Sequence, residues 1–594
     1  MKSRLMIAAS ALMLASCTTI PSDAGAGRST MGQAQDVTPD AAFSDLSTHY
    51  LQAIAELDPV SATRLGDHRF DSQLPDITSR GRAQERQAIE GFLAALKTID
   101  RTRLSRDNQV DYALLENQLQ YSLWSIDTEQ QWAWNPQYYN NIVSLSLYGL
   151  VARDFAPWPE RLDDIISRME KIPAFLADSR QQIDVARVPK IHAETVARQN
   201  AGIMQIVDAT LLPEIEAHGG DRTRFDAALA NLKVAVEEHQ RWLDNVVVPG
   251  ANGSFRLGPE KYDTKMRFAL LSTMSRPQLK ARAEQALAET RSEMEEIARG
   301  LSGCDIPGQQ AAIECALDKT YNQRATRENI EQKARETLAE ATRFTREKGF
   351  VTMPKGDVQV ITMPVFAQGN SVAYDDAPGP LERNLPNYYA VSPIPADWSD
   401  EQADSFLREY NMYMLHDLSI HEGVPGHYLQ LDHANNSPSL LRAVLSNGPF
   451  VEGWAVYSEE VMADEGYLGG DATLDGKLFR LTMLKMRLRS IANTLLDIGI
   501  HTENMTRDEA MKLMMEGAFQ QEREAAGKWV RANLSSVQLL SYFTGYAEHI
   551  SLREEARVRW GDEFTLRRYN DAVLSYGSPP VKYVRQLMFG LPVE

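Results

Sequence analysis

Cysteine is scarce in this sequence, with three in 594 residues. That scarcity excludes a disulfide-built scaffold and any zinc site made from clustered thiolates. Cys304 and Cys315 lie close together in LSGCDIPGQQAAIEC, and Cys17 stands alone near the N-terminus. In an oxidising compartment an even local pair favours one bridge, so a structural Cys304–Cys315 staple is expected. Long apolar runs are missing as well: past the N-terminal leader none approaches the ~18 residues that a membrane helix needs. Basic excess is absent. The formal net charge is −19, and no Lys/Arg stripe supplies the footprint that nucleic acid demands, so no nucleic-acid partner is expected. The acidic balance chiefly reports a solvated surface. There is no Pro/Ser-rich linker after residue 38 and no clear internal repeat. Residues 39–594 therefore read as a single domain, either one unit or two lobes around a cleft.

Residues 1–16 read as a secretory leader. Lys2 and Arg4 supply positive charge, and Leu5 to Leu14 supply an apolar run too short to span a bilayer. Leu14-Ala15-Ser16-Cys17 resembles a bacterial lipobox, which implies cleavage after Ser16 and lipidation of Cys17. An ordinary signal peptide with an incidental cysteine is the alternative. Thr18 follows Cys17 where aspartate would retain an inner-membrane lipoprotein. By resemblance to Gram-negative lipoprotein sorting, this implies the outer membrane, facing the periplasm. Residues 17–38 are rich in Thr, Ser, Gly and Ala and read as a flexible tether. The membrane is thus expected as a partner only through a lipid anchor.

Helical periodicity dominates the body, so the expected fold class is mainly α. Residues 82–99, 275–301 and 327–348 carry apolar side chains at 3–4 spacing among charges. Ser275-Arg276-Pro277 and Thr326-Arg327-Glu328 resemble helix starts. The segment 350–395 breaks the pattern with alternation, β-branched residues and prolines, predicting a small β element. It precedes the most chemically loaded stretch. The expected strands either line an active-site cleft or form a surface hairpin.

Eleven histidines occur in the chain, and four of them (His416, His421, His427, His433) fall within 18 residues. HEGVPGHYLQ at 421–430 and VEGWAVYSEE at 451–460 together offer two imidazoles, a glutamate beside one of them and a further glutamate downstream. That is the ligand set and general base of a catalytic zinc site. In the familiar H-E-x-x-H pattern the histidines share a helix face at i and i+4. His421 and His427 are six apart, which on an unbroken helix sets them about 120° apart around the axis. Gly423, Pro425 and Gly426 lie between them and provide a break that brings the rings together. The metal ligands expected for one Zn2+ per chain are His421, His427 and Glu452, with one position left open for water. Glu422 is the expected general base. Glu459 and Glu460 are rivals to Glu452 in the same segment; Glu459, near the same helix face, could instead partner a ligand histidine, and surface charge is the alternative for both. Tyr542, Tyr546 and His549 are candidates for stabilising an oxyanion, against the alternative of a packed aromatic stripe. Asp497 and His501 pair either near the site or on a helix surface. His416, Asp417 and His433 are expected to support the site or the fold. Arg383 is a candidate anchor for a substrate terminus.

These motifs, with YNMYMLHDLSIHEGVPGHYLQ (410–430), DIGIHTENMTRDEAM (497–511), QLLSYFTGYAEHISLR (538–553) and GSPPVKYVRQ (577–586), resemble the bacterial DUF885 family, a branch of the HExxH-type metallopeptidase superfamily. The resemblance implies a mostly helical peptidase-like fold and a lipoprotein signal, without a known substrate. It departs at one point: where the family pattern reads Phe-His-Asp, this chain has Tyr569, Asn570 and Asp571. The expected activity is zinc-dependent hydrolysis of short peptides in the periplasm. The alternatives are hydrolysis of another amide or an ester, and a non-catalytic envelope binding protein. Oligomeric state is not legible.

Overall fold

Apolar side chains recur every third or fourth residue along helices α1 (Pro136–Val151), α2 (Trp158–Gln182) and α3 (Arg222–Trp242). Each such stripe must find a partner. Val143, Leu147, Leu162, Ile165, Met169, Leu176, Phe225 and Leu232 meet in one buried core in the N-terminal half. The computed structural model describes residues 38–364, 372–395 and 398–594. Pro39–Glu594 forms one unit. The expected leader, Cys17 and the tether up to residue 37 lie outside the described residues. Among those described, no helix is long and apolar enough to cross a membrane.

The C-terminal half carries α4 (Arg276–Arg299) and α5 (Ile330–Lys348) before the β element. α4 starts where the sequence indicates, with Ser275 and Gln278 closing a reciprocal capping box and Pro277 in the first turn. α5 starts later than expected. The Thr326 amide donates to the Asn329 side chain at 2.6 Å, making residues 326–329 a turn that delays the helix to Ile330. Gly349 ends α5 in the left-handed region at φ +65°.

Three strands follow: β1 (Val358–Thr362), β2 (Ala373–Asp376) and β3 (Asn387–Val391). β3 is central, parallel to β1 and antiparallel to β2. β2 is therefore an edge strand. The remaining elements of interest are α6 (Met412–Leu418), α7 (His427–Asn435), α8 (Gly448–Asp464), α9 (Leu474–Thr502), α10 (Glu522–Leu534) and α11 (Ser541–Trp560). The fold is mainly α with a small three-stranded sheet, as the periodicity predicts.

Two glycines fix how α8 meets α11. A Cβ on Gly453 would stand 2.2 Å from the Gly545 carbonyl carbon, and one on Gly545 would stand 1.7 Å from the Pro449 oxygen. The backbones touch only because neither position carries a side chain. This contact sets the height of Glu452 in the cleft.

Cys304 and Cys315 form a disulfide with Cα atoms 5.5 Å apart and a sequence separation of 11. A loop of that length restricts the unfolded chain by about 3 kcal/mol in the chain-entropy description. The Cys304→Ala/Cys315→Ala double variant is expected to unfold at lower urea by roughly that amount. An unchanged urea midpoint would show that the staple contributes nothing.

Candidate metal centre

The helix that begins as α6 does not run through to His427. It widens into a π-turn at Ser419–Gly423, passes the cis Val424–Pro425 bond, and restarts as α7 at His427. The sequence-predicted break is thus a helix end and a new start. Gly426 makes this possible: a Cβ there would lie 2.0 Å from the His421 carbonyl oxygen and 2.3 Å from that of Ile420. The Gly426 amide donates to Ile420 O at 2.9 Å, closing the turn. From α8, Trp454 Nε1 donates to Pro425 O at 2.9 Å and Ser458 Oγ donates to the same oxygen at 3.4 Å. The EGWA segment therefore both supplies a glutamate and braces the loop between the histidines.

The result is convergence. The rings of His421 and His427 stand 4.7 Å apart between centroids, nearly perpendicular. His427 Nε2 lies 3.4 Å from Glu452 Oε2, and His421 Nε2 lies 3.9 Å from the same atom. One donor atom from each of the three residues falls within 4.8 Å of the others. Donors bound at ~2.0–2.2 Å to a tetrahedral ion are separated by about 3.3–3.6 Å, so this set fits a single zinc with small adjustment. His421 Nδ1 meets Glu459 Oε1 at 2.6 Å, so Nε2 is the ring nitrogen on the side of Glu452. Glu459 is 1% exposed. Among its sequence readings, contact with the ring of the candidate ligand His421 is the geometry found, an arrangement that fixes ring orientation.

Electrostatics concentrate on the same point. Burial works against charge on His427, but its bond to Glu452 and the charges of Glu452, Glu422 and Asp375 raise it to about 9. Burial likewise disfavours charge on Glu452, and the two histidines outweigh it and hold the carboxyl below its usual range. His421 is pushed down by burial and then by the charge of His427. The carboxylates thus hold positive charge where the three donors meet.

β2 borders this group. Asp375 N–H donates to Glu422 Oε2 at 3.0 Å, so the outer backbone edge of β2 faces the cleft and fixes the proposed base. Both Asp375 side-chain oxygens are buried without a partner among the described residues. Burial, and then Glu422, lift that carboxyl well above the usual range against the opposing charge of His427. The cleft itself measures about 1290 Å³ and is lined by β2, the histidines, α8, α9, α10 and Tyr542. Of the two readings of segment 350–395, the strand bordering the cleft is the one found.

Residues 59–588 match the family described as "bacterial protein of unknown function (DUF885)". The chain belongs to DUF885. Its fold is similar to that of a presumed lipoprotein of unknown function from Shewanella oneidensis, 35% identical, with a TM-score of 0.77 and coverage of 92% of this chain and 99% of that one. A presumed lipoprotein from Colwellia psychrerythraea has a TM-score of 0.75 over 93% of this chain and 99% of its own, and at 16% identity it speaks for the fold alone. Among curated proteins there is no match.

In this DUF885 chain the aromatic candidates separate. Tyr542 lines the cleft and its hydroxyl accepts from Arg531 Nη2 at 3.2 Å, leaving its own proton to donate. Tyr546 is corrected: its hydroxyl donates to Glu460, which also pairs with Arg487 at 2.7 Å, away from the cleft. Glu460 is held in that ion cluster rather than as free surface charge. His549 is corrected too. It is fully buried, bonded through Nε2 to Phe450 O at 3.1 Å, stacked near Tyr457, and lowered to about 4 by burial. It supports α8 from behind.

Asp497 accepts from Tyr262 Oη at 2.5 Å and from Val537 N–H at 2.9 Å, while His501 bonds Ser535 O at 2.8 Å. The pair ties loops to α9 rather than serving the donors. His416 bonds Tyr467, His433 bonds Thr352 O, and Asp417 is buried without a partner among the described residues. Arg383 donates to Pro380 O at 3.3 Å and does not line the cleft, so its expected anchoring role is corrected. Asn570, where the family pattern has histidine, is structural here: it accepts from Tyr457 Oη and donates to Phe350 O, both at 2.8 Å. Sequence reading missed Asp375, Gly453 and Gly545, and the cations of α10.

Proposed function

We propose that this protein is a zinc-dependent hydrolase of short peptides, anchored by lipid at Cys17 and facing the periplasm. The observation that carries the reading is the buried convergence of His421, His427 and Glu452 beside Glu422. Imidazole and carboxylate donors in a three-residue set suit zinc, and this favours membership of the HExxH-type peptidases. A bound zinc supplies a Lewis acid for the carbonyl and lowers the pKa of a water to about 7. The residues of the chain do the rest. Glu422, fixed by the Asp375 amide, accepts the proton of the attacking water and returns it to the leaving amine. Glu459 holds the His421 ring in its binding orientation. Tyr542, kept protonated by burial and then by Glu452, donates to the developing oxyanion.

A peptide is favoured over another amide or an ester by the outer edge of β2, which pairs with no strand among the described residues and borders the cleft as an extended backbone would require. The anchored periplasmic placement rests on the lipobox-like Leu14-Ala15-Ser16-Cys17 and on the Shewanella relative described as a presumed lipoprotein.

Elemental analysis of the full-length chain tests the metal. About one zinc per chain is expected, and His427→Ala is expected to lose it. No zinc in the unaltered chain after supply at neutral pH would end the hydrolase reading and leave an envelope binding protein in its place.

A further inference from the structure

α10 turns four charged residues toward the cleft: Arg523, Glu524, Lys528 and Arg531, the last three spaced i, i+4 and i+7 on one helix face. Their neighbours divide them. Glu524 is neutralised by Arg489 from α9 and also accepts from Tyr410 Oη at 3.0 Å. Lys528 is 6% exposed, and among the described residues its ammonium has neither a hydrogen bond nor a carboxylate within salt-bridge distance. Arg531 donates only to the neutral oxygens of Gln538 and Tyr542, each at 3.2 Å. Arg523, on the same wall, lies 3.8 Å over the Trp398 ring and has no carboxylate partner among the described residues.

An unpaired buried ammonium is costly, because desolvation is not offset by a counter-charge. Burial, followed by Arg489 and Arg531, pushes Lys528 well below the usual lysine range. In a chain of net charge −19, α10 nonetheless brings three basic side chains without a carboxylate partner among the described residues into the cleft. Of the groups lining the cleft, Asp375, Glu422, Glu452 and Glu459 lie by the histidines, while Lys528, Arg531 and Arg523 come from α10. Lys528, Arg531 and the donors His421, His427 and Glu452 line the same cleft, where Arg531 also bonds the Tyr542 hydroxyl.

We propose that Lys528 and Arg531 form a subsite for a substrate carboxylate, so that the molecule hydrolysed at the metal centre is a short peptide bearing a free carboxylate on the α10 side. This rests on the hydrolase reading and specifies its substrate. The carboxylate comes either from the C-terminus of the peptide or from an acidic side chain. Both satisfy the ammonium and guanidinium in the same way.

The test measures binding apart from turnover. Full-length Glu422→Gln protein, loaded with zinc and kept in detergent, is titrated calorimetrically with acetyl-tetraalanine as the free acid, as the amide, and as the amide with one alanine replaced by glutamate. The free acid is expected to bind at least about tenfold tighter than the amide, as a charge-assisted hydrogen bond implies. Lys528→Met is expected to bring the two to equal affinity, Lys528→Arg to keep the preference, and Arg531→Met to reduce it. Recovery of tight binding by the glutamate-containing amide assigns the subsite to a side chain, and no recovery assigns it to the C-terminus. Equal affinity for all three probes in the Glu422→Gln protein, or a preference that survives both Lys528→Met and Arg531→Met, overturns the subsite. Turnover of the same probes by the unaltered chain is read separately. Cleavage of acid and amide at equal kcat/KM removes the subsite and leaves the hydrolase. A carboxylate preference in binding without any cleavage removes the hydrolase and leaves a carboxylate-binding site.

Discussion

Glu422→Gln is expected to retain its zinc and its thermal unfolding profile while losing peptide hydrolysis by about a thousandfold, within the range that general-base removal produces. The selectivity follows from geometry. Glu422 Oε2 accepts the Asp375 amide, and a glutamine oxygen at the same place accepts it equally well. The β2 edge and the turn of residues 419–423 therefore stay as they are. Glu422 is adjacent to the ligand His421 yet is outside the set of three converging donors, so its replacement removes no metal bond. What disappears is the capacity to take a proton. Zinc by elemental analysis and kcat/KM on one cleavable peptide decide the matter together. Zinc retained with at least a tenth of the activity would remove Glu422 from the role of base and leave Asp375 as the next carboxyl to examine.

The same site shows which parts of the molecule are legible in its sequence. Residues that belong to one local segment were readable, because their spacing is itself the geometry. His421 and His427 need a break between them, and the Gly-Pro-Gly content of that interval supplies one. The form of the break, a π-turn followed by a fresh helix, depends on Trp454 and Ser458 gripping Pro425 O from another helix, so spacing alone does not reveal it. Glu452 and Glu459 lie seven residues apart on α8 and so share a face, which makes one a donor and the other a brace. Glu460 turns away to Arg487.

The tyrosines mark the limit of this reasoning. Tyr542 and Tyr546 are i and i+4, yet only the first reaches the cleft, because Glu460 and Arg487 draw the second aside. Asp375 and Lys528 were not legible at all. Their meaning depends on a strand docking against residue 422 and on a distant helix lining the same cleft, and no local pattern encodes either placement. The helices themselves follow from apolar periodicity and caps, as Ser275 illustrates. α5 misplaces its start only because one side-chain hydrogen bond closes a turn first.

Gly426→Ala is expected to be the most damaging single-methyl change at the site. The added carbon would meet backbone oxygens at 2.0 and 2.3 Å, and backbone cannot swing aside as the end of a long side chain can. The strain falls between the two ligand histidines, in a turn closed by Gly426 N–H to Ile420 O and continued into α7 by Gln430 N–H to Gly426 O. Relief requires the two segments to part, and that moves His427 away from His421 and Glu452. Overpacking of this kind destabilises by about 3 kcal/mol, and when the displacement falls on a ligand the zinc affinity drops by roughly a hundredfold. Gly91→Ala is the matched control: a Cβ there meets nothing within 4 Å inside a regular helix, and the change is expected to be neutral or slightly stabilising. A competition titration with a zinc chelator, run beside urea unfolding, separates loss of ligand geometry from loss of fold. If Gly426→Ala binds zinc as tightly as the unaltered chain, close backbone approach at residue 426 is not what brings the two histidines together.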